Sequence, residues 1–285
     1  MERAKADFDS ACAVWQRRRG RSSDPQWRTS LWSSPGRLRV GFAEFLMAWP
    51  ATSPDSTRIA AAYEQLQRFR TRTLLEQVSS NGSSAVLPAI PTLRQTQGML
   101  LAEGELLLEW ACGEDHVYLF AFSRGDRRFF DLGDPVALAT KIRTARALLA
   151  SAPQAGADPN AVAAVARELS RVVFGPALPM VESAKSLVLV PDGAIHLVPF
   201  AALATRSGPL LVSRTLAIAP SVAILAQARG RAQGPARGML VVSAGGAASP
   251  LAGARREADW LTSSFDGVER VDSAQEGSER FAASL

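Results

Sequence analysis

From residue 186 onward, short apolar runs alternate with helical stretches, and this rhythm limits the fold more than any other feature. Ser186-Leu187-Val188-Leu189-Val190 reads as a buried strand closed by the turn residues Pro191-Asp192-Gly193. Leu210 through Ile218 reads as a second strand, and Ser221 caps a helix that runs to about Gly230. Met239–Val242 is a third strand, followed by a small-residue loop from Ser243 to Pro250. A helix over 252–265, a short strand over Val268–Val271 and a helix begun at 277–285 complete the alternation. Strands and helices in this order imply a parallel sheet and an α/β fold.

The region before it is built differently. Leu106–Trp110 and His116–Phe122 are rich in β-formers and flank Gly113-Glu114-Asp115, the pattern of a hairpin. Phe129–Leu132 gives a short third strand after the Arg124-Gly125-Asp126 turn. Two helices follow, over 134–150 and 159–174, the first with Pro135 near its start, where a missing N–H does no harm. Residues 1–84 read as helical. Phe8, Cys12 and Trp15 share helical spacing, as do Leu38, Phe42, Phe45, Leu46 and Trp49. A long stripe from Ile59 to Val78 ends at Asn81-Gly82-Ser83-Ser84. Helix, turn, helix is the texture of helical repeats, although no strict 34-residue period is visible. Residues 85–97, with Pro88 and Pro91, read as a linker.

Composition narrows the function classes. With 47% hydrophobic and 21% charged residues the chain is of ordinary globular type. Cys12 and Cys112 cannot supply a disulfide framework or a four-thiolate zinc site, and His116 and His196 add little toward a metal centre. No run approaches a membrane span and no secretory leader is visible, so a cytoplasmic location is expected. The net charge is +5, but 29 of the 32 basic residues are Arg, alongside 49 Ala. That skew reads as GC-rich codon usage, and Arg17–Arg21 as a solvated helix end, so no nucleic-acid partner is expected.

The run from Leu187 through Pro191-Asp192-Gly193-Ala194-Ile195-His196 to Pro199-Phe200-Ala201-Ala202-Leu203 resembles the hallmark of the CHAT domain. This is the caspase-like domain found with tetratricopeptide repeats. The pattern is an apolar strand, Pro-Asp-Gly, a Leu-His pair, Pro-Phe and Ala-Leu; here Ile195 stands where Leu is usual. The hairpin runs, Ile218-Ala219-Pro220-Ser221 and Ala254-Arg255-Arg256-Glu257-Ala258 are similar to neighbouring family stretches. Ala62-Tyr63-Glu64 to Leu74-Leu75 looks like the last repeat helices before the domain.

The resemblance implies a cysteine endopeptidase with a His–Cys dyad, the imidazole taking the thiol proton before attack on the carbonyl. The dyad motifs, a His-Gly pair and a Cys-Glu-Thr-Gly-like run, belong after the helix that Ser278–Leu285 begins. Neither occurs in this sequence, which is expected to be cut short before them. No catalytic residue is therefore assigned, and the chain alone is expected to be inactive.

The residues at hand offer weak substitutes. Cys112 and His116 are four apart across a turn, and a half-buried Cys beside an exposed His is the commoner meaning of that spacing. The hallmark residues Pro191, Asp192, Gly193, His196, Pro199 and Phe200 are read as structural, with a place near the substrate pocket as the lesser reading. The His196 ring is expected to tie down the turn, and Asp192 to accept N–H bonds within it. Gly245-Gly246 lies in a strand-to-helix loop, but a lone glycine pair before Pro250 is a surface loop rather than a phosphate cradle. No metal or cofactor is expected.

The expected architecture is thus α/β: a helical, tetratricopeptide-like region over 1–84, then a caspase-like parallel-sheet domain over 98–285, its N-terminal part only. The expected role is proteolytic, with protein partners or a peptide substrate taken through the helical region and the CHAT domain. The alternative is a non-catalytic interaction or regulatory module, a pseudoprotease with helical repeats.

Overall fold

A computed structural model describes residues 2–20, 40–41, 43–45, 56–67, 70, 90–155, 158–231, 239–242 and 252–271. The connection expected after residue 20, most of the helix around Phe42, the turn at Asn81–Ser84, the glycine loop at Ser243–Pro250 and the helix at 277–285 lie outside them.

Three strands come first: β1 (Glu105–Cys112), β2 (Val117–Phe122) and β3 (Arg127–Asp131). They form an antiparallel meander, with Trp110 opposite Leu119 and Phe120 opposite Phe129. The β1–β2 hairpin turns where Gly113-Glu114-Asp115 interrupts the β-forming runs, and the Gly113 N–H donates to the His116 carbonyl at 2.8 Å. Next come α1 (Pro135–Ala155), α2 (Pro159–Phe174) and α3 (Leu178–Ser183). Asp158 caps α2 by accepting the Asn160 N–H at 3.0 Å, and Pro159 fills the first turn. The chain then enters β4 (Ser186–Val190) and β5 (Thr215–Ile218). Both run parallel to β1, giving a mixed five-stranded sheet of order β3-β2-β1-β4-β5.

Alternation along the strands feeds two cores. Leu107, Ala111, Phe120, Phe122, Val188 and Val190 face the helix Ser56–Gln67, whose Tyr63 ring lies edge-on to Phe122 at 4.9 Å. Leu106, Leu108, Trp110, Leu119, Leu187 and Leu189 face α1 and α2 through Ile142, Leu169, Val173 and Phe174. The result is a helix–sheet–helix sandwich, and burial of both faces explains why β2 is apolar at every position. The helix Glu2–Gly20 joins the first core through Phe8. By packing, residues 1–74 and 88–228 form one compact unit, and 75–87 with 229–285 a second. In the second unit Met239–Val242 pairs in parallel with Val268–Val271, with the helix Ala252–Ser264 between them in sequence.

Two segments differ from expectation. Leu210–Ser213 is a helical turn, and only Thr215–Ile218 is strand. Leu210 is buried while Leu211 and Val212 are exposed, which is one side of a helix rather than a strand alternation. Arg214 fixes the exit, its guanidinium donating to the carbonyls of Val181, Glu182 and Ala184. Within the expected linker, Leu93–Gln95 is helical and continues as a wider turn to Leu100. A capping box starts it: Thr92 accepts the Gln95 N–H and Gln95 accepts the Thr92 N–H.

Candidate functional site

Strands β1 and β4 run parallel and terminate at the same end of the sheet, with Glu109 opposite Val190. Ends of parallel strands are where α/β sheets place their functional loops. The chain leaves β4 through the buried Pro191, which has no N–H to satisfy.

Asp192 follows, and its carboxylate accepts the Cys112 N–H at 2.8 Å, capping the end of β1. Its carbonyl accepts the Ile195 N–H at 3.0 Å and the Cys112 thiol at 3.4 Å. Asp192 thus bonds across to the neighbouring strand with its side chain, while its carbonyl accepts within the turn. Gly193 has φ +53°, and a Cβ there would stand 2.9 Å from Cys112 Sγ. Both facts demand glycine. The short helical turn Gly193–Leu197 buries Ile195, and Val198 closes it with an N–H bond to the Ile195 carbonyl at 3.1 Å.

Beyond it Pro199 is half-buried, its carbonyl accepting the Ala202 N–H at 2.8 Å. Phe200 is buried against Trp110, ring centres 5.5 Å apart. His196 is exposed, and its ring makes no hydrogen bond to a described residue. The turn is tied down by Asp192 and by backbone bonds, not by the imidazole expected to do so.

Behind the turn, on the face that carries Tyr63, lies a buried charged cluster. Arg70 is 6% exposed; its Nε stands 2.9 Å from a Glu109 carboxylate oxygen, and its guanidinium is 3.8 Å from Asp192. It also donates to the Pro191 carbonyl at 3.2 Å and to the Trp110 carbonyl. Gln67 donates to Glu109 at 2.7 Å. Glu109 is fully buried, and desolvation raises its pKa above the usual carboxylate range, while the Arg70 charge pulls it back. Burial likewise raises the Tyr63 phenol well above its ordinary value, the Glu109 charge adding to the effect. Sequence reasoning missed this cluster. A lone Glu inside the run Leu106–Trp110 was its one local signal.

The other sequence candidates engage separate partners. Cys112 packs with the core under α1 and α2, whereas His116 stacks at 5.9 Å on Tyr118, which belongs to the opposite core. His116 Nδ1 instead pairs with Asp131 at 2.7 Å. Cys12 is buried and accepts from Gln65 at 3.1 Å. Among the described residues no group of His, Cys, Asp or Glu is placed to hold a metal ion, and no helix is long and apolar enough to cross a membrane.

The segment from inside α2 through β4, the Pro191–Phe200 turn and β5 into the second unit corresponds to a known family. The model of the CHAT domain matches residues 163–280, so the chain carries a CHAT domain. No curated protein matches the chain.

Proposed function

We propose that the chain serves proteolysis as a CHAT-type, caspase-like scaffold that holds a peptide substrate or protein partner and does not itself supply the nucleophile and base. The observation that carries this reading is the hallmark turn, which lies inside the CHAT match and is seated on the end of β1 through Asp192 and Gly193. A cysteine peptidase needs an imidazole beside its thiol. The Cys112 thiol is directed at the Asp192 carbonyl, and the His116 imidazole pairs with Asp131 at 2.7 Å. The same reading places the protein in the cytoplasm, with its N-terminal helices and CHAT domain as the protein-contacting parts.

The test is to incubate the purified chain with labelled casein and a fluorogenic peptide panel, with and without iodoacetamide, and to measure peptide retention in parallel. Retention of peptide without thiol-dependent turnover is the expected result. Turnover abolished both by iodoacetamide and by Cys112→Ala would overturn the reading, and so would a failure to retain any peptide.

A further inference from the structure

We propose that Arg70 is a positioning latch: it locks the segment carrying helix Ser56–Gln67 onto the hallmark turn, so that displacing this segment releases the turn and uncovers the Cys112 thiol. Arg70 reaches the ends of two strands at once, through the carbonyls of Trp110 on β1 and Pro191 after β4. Between them it meets two carboxylates, Glu109 and Asp192. One buried guanidinium therefore holds two buried acids together. Removing one partner of such a cluster leaves uncompensated charge out of water, which is strongly destabilising locally.

The two acids are not equally free to respond. Glu109 sits within β1, paired on both sides by β2 and β4. Asp192 sits on a turn, so it is the group that moves. When its carboxylate swings out, the Cys112 N–H loses its cap and Gly193 leaves its place against Cys112 Sγ. The relay runs from Arg70 through Asp192 and Gly193 to Cys112, and it makes the geometry of the turn conditional on the docked helical segment.

The experiment is peptide-resolved alkylation of Cys112 by iodoacetamide in the full chain, with hydrogen exchange followed in β2 and in residues 193–198. Arg70→Ala should raise the Cys112 rate about tenfold through local opening, with β2 exchange unchanged. Arg70→Lys should fall between, keeping the charge but losing the fork. Adding Asp192→Asn to Arg70→Ala removes the repulsion yet keeps an acceptor for the Cys112 N–H, and should restore slow labelling. An unchanged Cys112 rate in Arg70→Ala overturns the latch. So does β2 exchange rising by the same factor as the turn, or a double variant that labels as fast as Arg70→Ala.

Discussion

The carboxylate of Asp192 caps the backbone N–H of Cys112 at 2.8 Å, so the turn that ends one parallel strand closes the end of its neighbour. The relationship accounts for Pro-Asp-Gly in physical terms. Pro191 leaves the strand without a wasted donor, Asp192 supplies the cap, and Gly193 lets the backbone approach the Cys112 side chain.

Loss of that cap should be measurable. Asp192→Ala leaves a part-buried N–H without its carboxylate acceptor and should cost about 1–3 kcal/mol in urea denaturation. Asp192→Asn, which keeps an acceptor oxygen, should cost less than the alanine variant. Equal losses for the two would mean that charge opposite Arg70, rather than the cap, sets the contribution of Asp192.

Gly193→Ala should destabilise for two separable reasons. The residue would have to hold φ at +53° with a side chain, and its Cβ would crowd Cys112 Sγ at 2.9 Å. Together these should cost roughly 1–3 kcal/mol. Repeating the substitution in a Cys112→Ala background removes the sulfur contact and leaves the backbone strain, so part of the loss should return. A loss that is the same in both backgrounds would exclude the contact as a cause.

His196→Ala should leave stability within about 0.5 kcal/mol of the parent, as for an exposed side chain with no bonded partner among the described residues. This reverses what the sequence suggests, and the reason is instructive. The hallmark run locates the turn correctly, but a motif does not say which of its polar groups faces inward. Thermal melts of the two proteins decide, and a clearly lowered melting temperature for the variant would restore the imidazole to a structural role.

The hairpin, β4 and the helices between them were legible because periodicity and turn residues act locally. Arg70 was not, since among 29 arginines nothing in the local pattern marks Arg70 for burial. Its role depends on Glu109 and Asp192, which lie 39 and 122 positions further along the chain. The turn at Leu210–Ser213 was misread because Leu-Leu-Val is apolar in either conformation. Burial of Leu210 alone, with Arg214 fixed to the carbonyls at the end of α3, selects the helical turn. The Thr92–Gln95 capping box was present in the sequence and could have been found.

Glu109 should leave its mark on the pH dependence of folding. Burial raises its folded pKa above the ordinary carboxylate value, so in the window between the two the folded chain binds more protons than the unfolded one. Its contribution to stability is therefore full below the ordinary value and is lost as pH rises through the raised one. Glu109→Gln removes this titration while preserving the shape of the side chain. The stability of the parent minus that of the variant should fall with rising pH across that window, by no more than about 1.4 kcal/mol per pH unit. Denaturation curves at closely spaced pH values, fitted for both proteins, measure the difference directly. A difference that rises with pH instead would mean that Arg70 outweighs desolvation and holds the carboxyl below its ordinary value.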